Sequence, residues 1–254
     1  MIKTKRIKQI QDYIFEHQTA SLDELCNVFN VSKNTIRRDI QELVELGEIK
    51  KVYGGVAVNA EALVSFSDRK TRNQQSKELI AKAAASYVED GDVIFIDSGT
   101  TTLEMIDYIK TKNLTIITNN LDFMINALPY ENLNVISTGG VLERKTNSFI
   151  SLKQFNLLQS YNINKAFMAS TGISLTNGVT NASPLESETK TIAVERSLEV
   201  YLLVDGYKFD KYGLMTYCGL EEIDYVVTDQ IPREEYQEYF NRNEIQLVIA
   251  DDQD

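Results

Sequence analysis

The sequence contains too few cysteines and histidines for several common classes of protein. Its two cysteines cannot form a framework of several disulfides, and its single histidine, His17, leaves no visible cluster of metal ligands. The longest apolar runs fall far short of a membrane-spanning helix, and the N-terminus, charged from Lys3 onward, is not that of a secretory signal. These absences predict a cytoplasmic protein with no membrane partner, no metal and no other cofactor.

Acidic residues are abundant, but they are unevenly distributed along the chain. The 254 residues carry a net charge of −11, which by itself argues against a nucleic-acid-binding protein. Residues 1–58, however, contain nine basic and eight acidic side chains, a net charge of +1, so residues 59–254 carry −12. An acidic second part would repel DNA and restrict contact with it to the N-terminal part. The length also accommodates two domains.

The N-terminal part has the pattern of a helix-turn-helix. Isoleucines at helical spacing predict a supporting helix from Lys3 to His17. A short amphipathic helix starts at Ser21, and the turn Asn30-Val31 separates it from a second helix that Ser32 can cap. In a helix-turn-helix, this second helix enters the major groove of DNA.

The second helix of this motif has one apolar face and one polar face. Ile36, Ile40 and Leu43 recur at spacings of four and three residues and form the apolar face. The side chains that lie off this face suit phosphate oxygens and base edges. We predict that the DNA-binding residues of this segment are Ser32, Lys33, Asn34, Thr35, Arg37 and Arg38.

A small β-hairpin is expected to follow this helix. Gly47 is predicted to end the helix as a C-terminal cap. Apolar residues on both sides of Gly54-Gly55 indicate a hairpin, or wing. Residues 1–58 are therefore predicted to form a winged helix-turn-helix domain.

The rest of the chain has the pattern of an α/β domain, at residues 76–254. Residues 59–75 are polar without a strong period and are interpreted as a linker, and a helix is predicted from Ser76 to about Val88. Apolar runs of strand length follow at Val93–Asp97, Leu114–Thr118, Val135–Thr138, Ala166–Ala169, Val200–Asp205, Tyr225–Thr228 and Gln246–Ala250. Helical patterns between several of them cover Thr101–Ile109, Leu121–Leu128, Ser187–Ser197 and Arg233–Asn241. This alternation predicts a mostly parallel sheet covered by helices.

Polar residues follow the predicted strands at their carboxyl ends, where open α/β sheets bind ligands. After the first strand, a turn with free backbone N–H groups can bind an anion such as phosphate, although an ordinary capped turn has the same pattern. This turn consists of Asp97, Ser98, Gly99, Thr100, Thr101 and Thr102. The other strand ends contribute Thr118, Asn119, Gly139, Gly140, Arg144, Gly172, Asp205 and Lys208. Together they predict a site for a small, polar, phosphorylated ligand.

Two further features of the second part have alternative interpretations. Asn181, Glu186 and Lys190 form a further possible group at the ligand site. Alternatively, Glu186 and Lys190, which are four residues apart, form a surface ion pair on one helix. Lys208 is either a ligand-binding residue or a solvated surface lysine.

These residues together resemble the DeoR family of bacterial sugar-responsive repressors over nearly the whole chain. The segment from Ser32 to Asp39 matches the family signature, and Gly54-Gly55 matches its wing. The family's sensor domain is matched at Asp97 to Thr102, Thr118-Asn119, Gly139-Gly140, Gly172, Glu186, Lys190, Asp205 and Lys208. That sensor domain is similar in fold to ribose-5-phosphate isomerase and to CoA transferases. Lys51 and Tyr53 stand where the family usually has Arg and His, and both are included in the predicted DNA-binding set.

The resemblance implies three partners. They are operator DNA, an effector that is a phosphorylated sugar or sugar acid, and further copies of the chain in a homo-oligomer, either a dimer or a tetramer. Within the family, the N-terminal part is most similar to repressors of myo-inositol catabolism. That similarity implies a phosphorylated keto-deoxy-gluconate intermediate as the inducer.

The residues leave two other functions open. The protein could be a sugar-phosphate isomerase or acyltransferase with a DNA-binding head, in which Asp97, Glu186 and Lys208 supply acid and base groups. No activated nucleophile is apparent in the sequence, and similarity of fold is a weak argument for an enzyme. The protein could also be an activator or an architectural factor, because both would use the same head.

Overall fold

The structure is a computed structural model that describes residues 3–17, 19–45, 49–58, 66–150 and 157–251. The chain divides into two compact units, Met1–Val64 and Ser65–Asp254. The predicted helix end at Gly47 and the first part of the predicted linker lie outside the described residues. Within those residues, no helix is both long and apolar enough to cross a membrane.

The first unit contains the predicted helix-turn-helix and wing. Its described elements are α1 (Lys3–His17), β1 (Thr19–Ser21), α2 (Leu22–Phe29), α3 (Lys33–Glu45), β2 (Ile49–Val52) and β3 (Gly55–Val58). The strands form an antiparallel sheet in the order β1-β3-β2. The wing is therefore confirmed, whereas β1 was not predicted, because three residues are too few to show a period.

The core of the first unit contains the apolar residues of α3 that the helical spacing predicted to be buried. Ile36, Ile40 and Leu43 of α3 are at most 2% exposed and pack with Ile14 and Leu25 of the other two helices. At the start of α2, the side chain of Ser21 accepts a hydrogen bond from the Glu24 N–H and the Glu24 carboxylate accepts one from the Ser21 N–H. This capping box sets where α2 begins.

The second unit is an α/β domain. Its described helices are α4 (Phe66–Thr71), α5 (Gln74–Ala85), α6 (Thr100–Leu103), α7 (Ile106–Ile109), α8 (Leu121–Ala127), α9 (Pro184–Glu195) and α10 (Glu234–Arg242). Its described strands are β4 (Val93–Ile96), β5 (Leu114–Thr118), β6 (Leu133–Ser137), β7 (Val141–Glu143), β8 (Ser148–Ile150), β9 (Ile163–Ala169), β10 (Gly172–Ser174), β11 (Gly178–Asn181), β12 (Ser197–Leu203), β13 (Met215–Cys218), β14 (Tyr225–Thr228) and β15 (Gln246–Ile249).

The seven predicted strands form one parallel sheet, in the order β15-β14-β12-β9-β4-β5-β6. Alternate residues of each strand enter opposite cores, so Ile94 and Ile96 of β4 pack on one side and Phe95 on the other. Burial on both faces explains why these strands are continuous apolar runs.

The order of the strands reverses between β4 and β9. From β4 the chain continues to β5 and β6 on one side, and later strands are added on the other side, starting with β9. Such a reversal leaves a crevice at the carboxyl ends of the two central strands, and open α/β sheets bind their ligands there. The fold therefore places the predicted phosphate-binding turn, which follows β4, at the expected ligand position.

Three predictions of local structure were wrong. Part of the predicted linker is the helix α4, which at six residues is too short to show a period. The helix α5 begins at Gln74, so Ser76 lies within its first turn and does not cap it. The segment predicted as one helix from Thr101 to Ile109 is two four-residue helices, α6 and α7.

Small antiparallel elements were also missing from the sequence prediction. They are the hairpin β7–β8 and the three-stranded sheet β10-β11-β13. Each strand has only three or four residues, so its alternation is too short to detect. Both elements supply residues to the site described next.

Candidate functional site

The polar face of α3 forms the first candidate site. Lys33, Asn34, Arg37 and Arg38 are exposed, opposite the buried isoleucines. Ser32 caps the helix as predicted, because its hydroxyl accepts a hydrogen bond from the Thr35 N–H at 3.3 Å. The exposed N-terminal part of α3 is the region of a recognition helix that contacts base edges.

A groove between α3 and the wing is lined by four basic side chains, those of Lys33, Arg37, Arg38 and Lys51. Lys51 donates a hydrogen bond to Gln41 at 2.6 Å. In the described part of the chain neither arginine is in an ion pair, so both guanidinium groups are available to a DNA backbone or base. The predicted Tyr53 is fully exposed at the tip of the wing.

Two acidic residues form ion pairs with basic side chains at or behind this basic surface. Lys33 forms an exposed ion pair with Asp23 of α2 at 2.6 Å, which a phosphate would have to displace. Asp39 is 1% exposed and accepts hydrogen bonds from the Arg6 guanidinium at 2.7 and 3.3 Å. This pair joins α3 to α1 and sets the orientation of the recognition helix. The burial of Asp39 was not predicted from the sequence. Its position next to Ile40, a residue of the apolar face, was the available signal.

The second candidate site lies at the carboxyl edge of the parallel sheet, around Asp97. Its carboxylate is wholly buried and forms an ion pair with Lys190 of α9. The same carboxylate oxygen accepts a hydrogen bond from the Ala169 N–H at 2.9 Å, and Lys190 also donates to the Ala169 carbonyl at 3.1 Å. The pair thus joins β4, β9 and α9 at the crevice.

Glu186 is the second buried carboxylate of this site. It accepts hydrogen bonds from Ser98 at 3.0 Å, from Ser148 at 2.6 Å and from Asn181 at 3.1 Å. Burial by itself raises the pKa of Glu186, but Lys190 and the hydrogen bonds outweigh it and hold the pKa below its ordinary value. The surface ion pair considered for Glu186 and Lys190 is therefore wrong, because this face of α9 packs against the sheet.

The turn that follows β4 is held by its own polar groups. Thr102 donates hydrogen bonds to the carbonyls of Asp97 and Gly99, and Asn120 donates to the same two carbonyls at 3.4 and 3.3 Å. A Cβ on Gly99 would lie 2.2 Å from the Cβ of Ala169, so only glycine fits here. Because α6 has four residues, its dipole is too small to be the main attraction for an anion.

Positive charge at this edge is supplied by basic side chains instead. Lys208, which follows β12, donates to the Ser170 carbonyl at 3.0 Å, so it is not a solvated surface lysine. Lys77 of α5 is 5% exposed and donates to the Arg69 carbonyl of α4. Both ammonium groups bond backbone carbonyls, and neither is in an ion pair within the described residues. We call the set Arg69, Lys77 and Lys208 the cation cluster.

Burial lowers the pKa of both lysines in the cation cluster to about 8. The charges of Arg69 and of the other lysine add to this effect at Lys77, and those of Arg69, Arg72 and Lys211 add to it at Lys208. Asp205 opposes it at both lysines, and Glu104 opposes it at Lys77. An excess of buried positive charge is an arrangement that favours binding of an anion.

The sequence reasoning missed Arg69 and Lys77, although one signal for Lys77 was present. Lys77 falls at helical spacing with Ile80, Ala81 and Ala84, which are buried residues of α5. A lysine on the apolar face of a helix is rarely buried without a specific partner. Arg69 lay inside the predicted linker. Ser148 was missed as well, since the short strand that carries it was not predicted, whereas Asn181 was grouped with Glu186 and Lys190 from the sequence.

The remaining predicted ligand residues divide into three groups. Thr100, Thr101, Thr118 and Asn119 are buried at the edge of the sheet, and Asp205 accepts a hydrogen bond from Asn73 at 3.2 Å. Gly139 and Gly140 lie in the turn after β6, and Arg144 is exposed in the turn of β7–β8. Gly172 has a packing role, because a Cβ there would lie 2.2 Å from the Lys211 carbonyl oxygen.

Two family models match the chain in the same order as these two sites. One describes a DeoR-like helix-turn-helix domain and matches residues 6–62. The other describes the DeoR C-terminal sensor domain and matches residues 72–230. The chain belongs to the DeoR family.

Relatives in this family match almost the whole chain. The HTH-type transcriptional regulator IolR of Bacillus subtilis is 47% identical over 251 residues, which cover 98% of this chain and 100% of that protein. A lactose phosphotransferase system repressor of Staphylococcus epidermidis is 33% identical, over 90% of this chain and 93% of that protein. The HTH-type transcriptional repressor GlcR of Bacillus subtilis is 26% identical, over 99% and 98%.

Solved structures with a similar fold include ribose-5-phosphate isomerase A from Methanocaldococcus jannaschii. It is 20% identical and has a TM-score of 0.40, over 54% of this chain and 55% of that one. The tetrameric eIF2B-beta2-delta2 complex from C. thermophilum provides a chain that is 14% identical with a TM-score of 0.46, over 67% and 60%.

Proposed function

We propose that this DeoR-family protein is a transcriptional repressor of a carbohydrate catabolic operon and that a phosphorylated sugar or sugar acid releases it from the operator. The winged helix would bind DNA through Arg37 and Arg38. The observation that carries the effector half of this proposal is the cation cluster, which lies at the carboxyl edge of the sheet. Operator binding would place the protein in the cytoplasm.

The cation cluster favours a phosphorylated or carboxylated effector over a neutral sugar. A bound anion would bring negative charge to Lys77 and Lys208, whose ammonium groups bond only backbone carbonyls among the described residues. We further propose that the effector stabilises a state of a homo-oligomer whose DNA-binding heads no longer match the operator spacing. The similarity to IolR and the resemblance of the N-terminal part to myo-inositol repressors support an intermediate of inositol catabolism as the effector.

Binding, and not catalysis, is the role that this arrangement supports best. The relatives described above are named as regulators or repressors. Asp97 and Glu186, the carboxylates considered for acid and base catalysis, are both engaged in internal ion pairs and hydrogen bonds. A general acid or base must instead be within reach of the substrate proton.

The proposed function predicts that one phosphorylated sugar abolishes DNA binding. The measurement is fluorescence anisotropy of the purified protein on the DNA upstream of its own gene, titrated with sugar phosphates and with the matching unphosphorylated sugars as controls. Release by a phosphorylated sugar alone would support the proposal. Binding that no ligand releases would contradict the effector assignment, and absence of binding at low salt would contradict the repressor and call for an assay of ribose-5-phosphate isomerisation.

The cation cluster predicts that anion affinity falls as pH rises through 8. A bound anion stabilises the charged lysines, so binding takes up protons wherever the free lysines have begun to lose them. Sulfate is a suitable probe because its charge is constant over this range. We expect its dissociation constant to be roughly tenfold higher at pH 9.5 than at pH 7, since both amines are then mostly neutral.

Calorimetric titration at several pH values would measure this dependence. The matched variant is Lys208→Arg, which keeps its charge throughout this range and is therefore expected to flatten the profile. Sulfate affinity that is independent of pH in the unmodified protein would contradict the role of the two lysines.

A further inference from the structure

Some polar side chains at the carboxyl edge are buried without a partner. Neither the amide nitrogen nor the oxygen of Asn119 has a hydrogen bond within the described residues, and the same holds for the hydroxyls of Thr138 and Ser170. Asn119 is 0% exposed and Thr138 is 8% exposed. Buried polar groups nearly always form hydrogen bonds in native proteins. An amide nitrogen and an amide oxygen that both lack a hydrogen bond therefore indicate that a binding partner is missing.

The neighbours of these residues show that the edge can satisfy such groups when their role is structural. Asn120 is equally buried, but its amide donates to two carbonyls of the turn after β4 and its oxygen accepts the Phe123 N–H at 3.1 Å. Thr118 donates to the Ile96 carbonyl at 2.6 Å and accepts from the Asn120 N–H at 3.0 Å. Asn119 and Thr138 therefore differ from these neighbours in having side chains without an internal partner.

Three of the unpaired groups, those of Ser170, Asn119 and Thr138, extend away from the cation cluster along the sheet, whereas the unpaired Thr228 hydroxyl lies on the other side, at the end of β14. Ser170 follows β9, Asn119 follows β5 and Thr138 follows β6, in a sheet with the order β9-β4-β5-β6. Ser170 also bonds Lys208 through its carbonyl. Strands are about 4.8 Å apart, so Ser170 and Asn119 are separated by roughly 10 Å along the edge. The edge thus has a charged end and a neutral end, too far apart for one phosphate ion to reach both.

We propose that Asn119 and Thr138 form a neutral subsite that binds hydroxyl or carbonyl groups of the effector while the cation cluster binds its anionic group. This inference rests on the proposed function and specifies the ligand as an elongated, phosphorylated or carboxylated polyol. Asn119 offers one donor nitrogen and one acceptor oxygen, which match a hydroxyl group in either role. The hydroxyl of Thr138 can likewise donate or accept a hydrogen bond.

The first test compares two threonines in the ligand-free protein. Thr138→Val removes a hydroxyl without an internal partner, so the melting temperature should stay the same or rise. Thr118→Val removes a hydroxyl with two partners, so the melting temperature should fall by several degrees. Equal losses in both variants would show that Thr138 has a structural partner and would overturn the proposal.

The second test separates the two ends of the site with two probes, inorganic phosphate and 6-phosphogluconate. The unmodified protein should bind 6-phosphogluconate at least tenfold more tightly than phosphate. Asn119→Ala should lose most of this difference while its affinity for phosphate changes less than twofold. Lys208→Met should weaken binding of both probes.

The outcomes distinguish this inference from the proposed function. Failure of the unmodified protein to bind either probe would contradict the anion site itself. Equal affinity for both probes in the unmodified protein, or an undiminished preference in Asn119→Ala, would overturn the neutral subsite alone.

Discussion

The substitutions Arg37→Ala and Arg38→Ala are each expected to weaken binding to operator DNA by about 1–3 kcal/mol and to lower the salt dependence of that binding. Both guanidinium groups are exposed beside the wing and are in no ion pair within the described residues. Each arginine that neutralises a phosphate releases counterions, so its loss reduces the slope of log affinity against log salt by about 1 per contact.

Fluorescence anisotropy at several salt concentrations measures both quantities. Lys82→Ala is the matched control, since Lys82 is an exposed basic residue of α5 in the other unit. We expect this variant to bind DNA like the unmodified protein. An unchanged affinity and salt slope in both arginine variants would contradict the assignment of α3 as the recognition helix.

The substitution Lys190→Met is expected to destabilise the second unit by about 3–5 kcal/mol. The Lys190 side chain is 3% exposed and is paired with an Asp97 that is wholly buried. Removing the lysine leaves a buried carboxylate without its counter-charge, and that cost exceeds the loss of the pair itself. In a domain of this size the melting temperature should fall by roughly 6–20 °C.

Chemical denaturation followed by tyrosine fluorescence would report mainly on this unit, because only Tyr13 and Tyr53 of the thirteen tyrosines lie in the first unit. Lys110→Met is the control, since its ion pair with Asp107 is largely exposed and should contribute less than about 1 kcal/mol. The double variant Asp97→Asn with Lys190→Met should recover part of the loss. Equal stability of the two lysine variants would contradict the structural role of the buried pair.

The sequence by itself determined the elements whose period or length is strong. The seven parallel strands were predicted because burial on both faces makes each a continuous apolar run. The recognition helix was predicted because Ile36, Ile40 and Leu43 repeat at helical spacing, which also assigned Arg37 and Arg38 to the exposed face. These are local patterns, so they are visible without knowledge of the fold. The turn from Asp97 to Thr102 was likewise recognisable from its residues and its position after a strand.

Only the tertiary structure decided which side chains lie together at the candidate ligand site. Lys190 and Asp97 are 93 residues apart in the chain, and Glu186 and Ser98 are 88 apart. Along one helix, Glu186 and Lys190 have the spacing of a surface pair, and only the packing of α9 on the sheet reveals that both are buried. Lys77 and Lys208 become neighbours in the same way, because α5 and the end of β12 meet at the carboxyl edge. Burial and long-range contact set the charges of these groups, and neither property is encoded in local spacing.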